Sequence, residues 1–133
     1  MGHVRVAVAG GTGRTGREIV RYLSAEEGIE VVGVVARSLA GKSMSVVLPD
    51  LRRDIPIFHD FAQLCAVRPP HILVDFTTPA AAKAHFYMCL ERRIHPISGT
   101  TGFSEDDIAG FARACAAAQF GGAVISNFSI GAL

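Results

Sequence analysis

The chain has 133 residues, half of them apolar and 19% charged, with a formal net charge of +1 at pH 7. A chain of this length forms one domain and buries roughly two-thirds of its unfolded surface, so this composition supports a packed core and excludes disorder. The near-neutral balance excludes a bulk nucleic-acid binder, which carries a basic excess, and no apolar run approaches the ~20 residues that span a bilayer.

The apolar pattern changes period repeatedly along the chain. Residues 4–10, VRVAVAG, form a short apolar run ending in glycines, as expected of a strand buried on both faces. Gly16, Ile19, Val20 and Leu23 then follow helical spacing. Residues 30–36, EVVGVVA, are a second β-branched run. The stretch 38–54, SLAGKSMSVVLPDLRRD, breaks the alternation and reads as a long loop or lid edge. A weak third strand, PIF at 56–58, precedes a short helix across Phe61 to Val67, and HILVDFT at 71–77 is a strong fourth strand. Residues 80–92 place Ala82, Phe86, Cys89 and Leu90 on one helical face, and HPISG at 95–99 is a short fifth strand. Ser104 and Asp107 have the spacing of a capping box opening a helix with Ile108, Phe111, Ala112 and Cys115 on one side. GGAVIS at 121–126 makes a sixth strand. Strands alternating with helices in this way imply a Rossmann-like, doubly wound α/β fold: one parallel sheet of about six strands with helices on both faces.

The turn after the first strand carries the clearest chemistry. AGGTGRTG at 9–16 contains G-x-G-x-x-G as Gly11, Gly13 and Gly16, with Gly10 immediately before and Thr12, Arg14 and Thr15 between. Glycines there allow a tight turn, backbone approach to a pyrophosphate and close packing of helix on strand. The first N–H groups of the helix, at the positive end of its dipole, then bind the anion. The alternative is a tight structural turn with no ligand. At the end of the second strand, where NAD-preferring sites carry an acid for the ribose 2′-hydroxyl, the sequence reads Ala36, Arg37, Ser38. Ala36 removes a repulsion worth about 4 kcal/mol for two unit charges 4 Å apart at an effective dielectric of 20. Arg37 can fork onto a 2′-phosphate while Ser38 donates a hydroxyl. This predicts NADPH as the preferred cofactor, with NADH possible; the other reading of Arg37 is a snorkelling surface side chain or one stacked on adenine.

Ligands of doubly wound sheets bind beyond the carboxyl ends of the strands. Three such ends have a common composition, namely DFTTPAA at 75–81, GTTGFS at 99–104 and SNFSIG at 126–131. Their small residues, hydroxyls, amide and aromatics would make a flat polar slot for a nicotinamide ring. Helix capping accounts for Thr77, Thr78 and Ser104 equally well, but less well for Thr100, Thr101 and Asn127.

GGTGRTG, DFTTPA, GTTGF and NFSIG, in this order and spacing, resemble the nucleotide-binding domain of the 4-hydroxy-tetrahydrodipicolinate (dihydrodipicolinate) reductases, lysine-pathway oxidoreductases. The likeness runs from about Val4 to the last residue. It implies that Gly10 to Thr15 wrap the pyrophosphate and Arg37 meets the adenosine ribose or its phosphate. Phe76 and Thr77 would lie along the cofactor, and Gly99, Thr100 and Thr101 would border the nicotinamide, with Thr101 closest to substrate. Ser126, Asn127 and Phe128 would complete that wall. Two positions depart from the family: Thr15 stands where Met is usual, and Ala36 where an acid is usual.

The resemblance further implies that residues 1–133 are a cofactor domain ending at the boundary to an absent second domain, which carries the His/Lys catalytic stretch and the tetramerisation sheet. No His-x-x-Lys occurs in the chain, and His3, His59, His71, His85 and His95 read as structural or surface histidines. The full-length protein is then expected to be a homotetramer reducing a cyclic dicarboxylate imine, and this chain an inactive monomer or weak associate. The alternatives are a stand-alone, non-catalytic nucleotide-binding module and the cofactor domain of another NAD(P)-dependent oxidoreductase. Cys65, Cys89 and Cys115 are odd in number and widely spaced, so they read as buried small hydrophobes in a reducing compartment rather than a disulfide frame or a metal site. With no signal-peptide pattern at the start, the expected location is the cytoplasm, with no nucleic acid and no membrane as partner.

Overall fold

The computed structural model describes residues 3–125; the expected wall residues Ser126, Asn127 and Phe128 lie outside them. The element order is β1 (Val4–Ala9), α1 (Arg14–Ala25), β2 (Ile29–Val35), a 3-10 turn (Met44–Val46), β3 (Ile57–Phe58), α2 (Phe61–Val67), β4 (Ile72–Asp75), α3 (Pro79–Glu91), β5 (His95–Ser98), α4 (Glu105–Ala118) and β6 (Ala123–Val124). The strands form one sheet in the order β3-β2-β1-β4-β5-β6, and every pairing is parallel. This is the doubly wound arrangement that the alternating pattern predicts. The chain winds one way from β1 to β3 and the other way from β4 to β6, so a crevice opens where β1 and β4 lie side by side.

The central strands are buried on both faces, which is why they read as continuous apolar runs rather than alternating ones. Ala7 and Ala9 of β1 join Val32, Val35, Phe61, Leu64, Leu73 and Cys89 on one face of the sheet. Val8 points to the other face, with Ile19, Val20, Val31, Val34 and Ile57. A third cluster, Phe86, Leu90 and Phe111, ties α4 onto α3, with the Phe86 and Phe111 rings stacked at 4.2 Å.

Three expectations are revised. The stretch 38–54 is a long loop, as expected, holding only the 3-10 turn, but it is packed into the core rather than free-standing. Met44 and Leu48 within it, and Ile55 just beyond, are buried in the same cluster as α1, and Ser43 bridges to Pro56. The segment covers the sheet face beside α1, where such a fold would otherwise place a helix; its apolar residues are too few and too irregular to announce this by period. On α4, Ile108 and Ala112 face outward, with Ile108 42% exposed. The packed side runs instead through Phe111, Ala114 and Cys115, because Phe111 is drawn into the Phe86 stack and sets the rotation of the helix. The sixth strand is also shorter than 121–126, pairing with β5 through Ala123 and Val124. No helix among the described residues is long and apolar enough to cross a membrane.

Candidate nucleotide-binding site

The crevice between β1 and β4 gathers the glycine-rich turn and two of the three loops singled out in the sequence. In the ladder Ala9 pairs with Asp75, and Asp75 with Ser98, so β1, β4 and β5 end level with one another. Gly10 follows the first of these ends, Phe76 and Thr77 the second, and Gly99 and Thr100 the third.

Close backbone approach holds these loops together. Gly10 has φ +79°, a conformation that favours glycine, and a Cβ there would lie 2.5 Å from the Phe76 carbonyl oxygen. A Cβ on Gly16 would lie 2.0 Å from the Gly10 carbonyl oxygen, so the helix can sit on the turn only without a side chain. Gly99 leaves room for the Phe76 ring, which a Cβ would meet at 2.3 Å. Gly13 differs. Its backbone is an ordinary extended one, φ −73° and ψ 171°, and a Cβ would meet only the Gly10 oxygen, at 3.4 Å. The fold itself does not require glycine at position 13.

The helix that follows is left open at its N-terminus. Asp60 caps α2 by accepting from the Gln63 N–H, Thr78 caps α3 by accepting from the Ala81 N–H, and Ser104 and Asp107 form a reciprocal capping box on α4. Among the described α-helices, α1 alone starts at a residue with no capping side chain, Gly13, and its first turn holds no acid. Uncapped N–H groups and an uncompensated dipole end suit an incoming anion. Arg17 braces the turn from within, donating to the carbonyl oxygens of Thr12 at 2.8 Å and Gly13 at 3.4 Å. Arg14 and Thr15 are exposed at the mouth, and Thr12 is half-buried.

Arg37 and Ser38 follow the end of β2 and are exposed, and Arg37 forms no ion pair among the described residues. The two GTTG threonines part company. Thr100 is 6% exposed and its hydroxyl donates to the Asp75 carbonyl at 3.4 Å, whereas Thr101 is exposed. Thr100 thus braces the wall and Thr101 faces outward.

Arg17 and Asp75, which the sequence reading did not place at the site, border it, and His85, expected to be structural or at the surface, is bonded to Asp75. Asp75 is 2% exposed. One of its carboxylate oxygens accepts from the Thr77 N–H at 3.0 Å and the Thr77 hydroxyl at 2.6 Å, and the other lies 2.7 Å from His85 Nδ1. An acid closing a buried strand was the available signal for Asp75. Nothing local marks His85. The remaining described histidines stabilise edges or lie in solvent: His71 Nδ1 accepts from the Arg5 N–H, His95 stacks on Phe120 at 4.0 Å, and His3 and His59 are exposed. The three cysteines are free; burial pushes the thiols of Cys65 and Cys89 up from their ordinary value, with Cys89 the more strongly shifted. Among the described residues no His, Cys, Asp and Glu side chains gather as a metal site.

An open groove of about 740 Å³ lies at the opposite end of the sheet, bordered by Arg21, Glu27, Glu30, Asp50, Arg52 and Arg68. Its charges are mixed, and Arg68 is already paired with Glu30 at 3.0 Å. It is remote from the strand ends at which this fold binds ligands.

The parallel sheet order, its glycine-lined crevice and the uncapped first helix define a Rossmann-like domain. The family described as dihydrodipicolinate reductase, N-terminus, matches residues 4–128, and the chain belongs to that family. It is 34% identical over 129 residues to the 4-hydroxy-tetrahydrodipicolinate reductase of Shouchella clausii and 38% identical over 130 residues to that of Moorella thermoacetica. These alignments cover 97% and 98% of this chain but 49% of each relative, so the chain spans about half the length of the curated relatives it matches. Among solved structures it is similar to a dipicolinate-bound dihydrodipicolinate reductase from Paenisporosarcina sp. TG-14, with TM-score 0.79 and 29% identity, covering 97% of this chain and 49% of that one. An S. aureus homoserine dehydrogenase shares the fold alone, with TM-score 0.75 at 12% identity over 95% of this chain and 34% of that one.

Proposed function

We propose that this chain is the cofactor-binding domain of a 4-hydroxy-tetrahydrodipicolinate reductase of lysine and diaminopimelate biosynthesis, binding NADPH in preference to NADH. The observation that carries the nucleotide reading is the open start of α1: three α-helices are capped by side chains, and the one that follows the glycine-rich turn is not. The glycine at position 13, which the fold does not require, supports the same reading, since a phosphate approaching the turn would require it. Gly10, Gly11, Thr12, Gly13, Arg14, Thr15 and Gly16 hold the pyrophosphate. Arg37 and Ser38 take the adenosine ribose and its 2′-phosphate. Phe76, Thr77, Gly99, Thr100 and Thr101 border the nicotinamide, with Ser126, Asn127 and Phe128 completing the wall.

A nicotinamide held there would supply the hydride chemistry, and the chain's own residues would orient it. In the whole protein that hydride would serve the reduction at C4 of a cyclic imine dicarboxylate, or of its dehydrated form, with Thr101 as the residue of this chain nearest the substrate. The groups that hold the substrate and donate the proton belong to a second domain, the whole protein is a cytoplasmic homotetramer, and this chain alone does not turn over.

Titration calorimetry of the chain with NADPH and NADH at one salt concentration tests the reading. The expected result is measurable binding of both, tighter for NADPH. Arg37→Ala should weaken NADPH by about tenfold, the size of one charge-assisted hydrogen bond, and leave NADH unchanged. Equal dissociation constants overturn the preference, and the absence of binding by either nucleotide overturns the site.

A further inference from the structure

Asp75 is the meeting point of the site's walls. Its backbone carbonyl accepts from the Gly99 N–H at 2.8 Å and from the Thr100 hydroxyl, so it anchors the GTTG loop. Its side chain anchors the other wall, with one oxygen taking both donors of Thr77. The Thr77 methyl in turn lies 3.4 Å from where a Gly10 Cβ would stand, and the Phe76 carbonyl lies closer still. The shape of the 76–77 loop is therefore felt at the start of the glycine-rich turn.

Such an anchor requires a satisfied carboxylate. A buried carboxylate with a free oxygen is strongly disfavoured, and it either takes a proton or turns toward another donor. His85 prevents this. It lies on α3, ten residues from Asp75, and its Nδ1 is 2.7 Å from the Asp75 oxygen that Thr77 does not use. A carboxylate only accepts, so Nδ1 carries the hydrogen. The imidazole is held edge-on by the Phe61 ring, with centroids 5.7 Å apart and planes at 66°, and its side chain is 15% exposed. Phe61 of α2 thus fixes the ring, the ring fixes Asp75, and Asp75 fixes Thr77.

We propose that His85 is a positioning residue for the nucleotide site, holding the Thr77 loop against the glycine-rich turn through the buried Asp75 carboxylate. The proposal rests on the nucleotide-binding reading above and extends it to a side chain that lines neither the turn nor the GTTG loop. Removing the His85 donor frees one Asp75 oxygen, which then competes for the hydrogen bonds that shape the loop, and the loop loosens.

The test compares His85→Leu, which removes the donor at similar volume, with His85→Asn, whose amide nitrogen stands near the position of Nδ1. Two quantities are read on the 133-residue chain: the NADPH dissociation constant, and amide hydrogen exchange without nucleotide. His85→Leu should weaken NADPH by about tenfold, as for one lost charge-assisted hydrogen bond. It should speed exchange at Thr77 while the amides of β1 and β2 keep their wild-type rates, and His85→Asn should restore both. Should His85→Leu fail to fold, His85→Gln replaces it; its amide reaches the Nε2 position instead, and it should bind more weakly than His85→Asn. Wild-type affinity in His85→Leu, equal affinity in the Asn and Gln variants, or faster exchange across the whole sheet overturns the proposal. A wild-type chain that binds neither nucleotide overturns the underlying reading, and the wild-type titration alone distinguishes that failure.

Discussion

Gly13 and Gly16 belong to one motif, yet the structure separates what each is for, and alanine at each position should reveal it. A Cβ on Gly16 would lie 2.0 Å from the Gly10 oxygen, 2.8 Å from the Gly10 carbonyl carbon and 2.9 Å from the Gly11 Cα, all backbone atoms that cannot rotate away. Relieving an overlap of that depth means prising α1 from the turn, so Gly16→Ala should cost about 3 kcal/mol, the upper end for overpacking in a filled site. Gly13→Ala meets a single atom at 3.4 Å in a backbone conformation open to any residue. The poorer helix cap and the stiffer unfolded chain oppose each other, which leaves stability within about 1 kcal/mol of wild type. The methyl group would nevertheless stand where a phosphate approaches the open N–H groups, and a clash of about 1.4 kcal/mol or more means an affinity loss of about tenfold or greater. Urea unfolding followed by circular dichroism, beside calorimetric titration with NADPH, measures both quantities. Wild-type affinity in Gly13→Ala would show that the turn does not receive its anion at that position. A Gly16→Ala chain as stable as wild type would equally contradict the division of roles.

Further expectations concern the packing and the titrating groups. Met44→Ala should cost about 2–5 kcal/mol, the range for large-to-small changes in a core, whereas Val46→Ala at the exposed side of the same turn should stay within about 0.5 kcal/mol; equal effects in urea unfolding would restore the lid reading of 38–54. The Asp107 carboxyl is held below its ordinary value by the hydrogen bond from Lys83 and by the Ser104 N–H. A depressed carboxyl contributes stability above its unfolded value and loses it as pH falls through the folded one. The wild-type melting temperature should therefore fall more steeply than that of Asp107→Asn between about pH 5 and pH 2, and parallel curves would exclude the contribution. Thiol labelling of the native chain should modify Cys115 first and Cys89 only on unfolding, since the thiolate is the reactive form and burial suppresses it at Cys89; early labelling of Cys89 would contradict its burial.

Much of the architecture is legible in local pattern. The runs at 4–10, 30–36 and 71–77 can be read as strands because a strand covered on both faces needs apolar residues at every position. The capping box at Ser104 and Asp107 announces its helix because both partners lie within one turn. The glycine-rich turn is legible for the same reason: the strand before it and the helix after it are neighbours in sequence. What each glycine is for is not, because the atoms that crowd Gly10 and Gly99 come from Phe76, in another part of the chain.

The alternation of strands and helices, the phosphate-type turn and the family are all written in residues within a turn or a strand of one another, and the amino-acid order is enough to read them. Three features emerge only once the chain is folded: Met44 and Leu48 are core, Ile108 faces solvent, and His85 reaches a buried Asp75. Each of these depends on which elements become neighbours in the sheet. A side chain's surroundings are set by the strand order and by the rotation of the helix that carries it, and a local apolar period records neither.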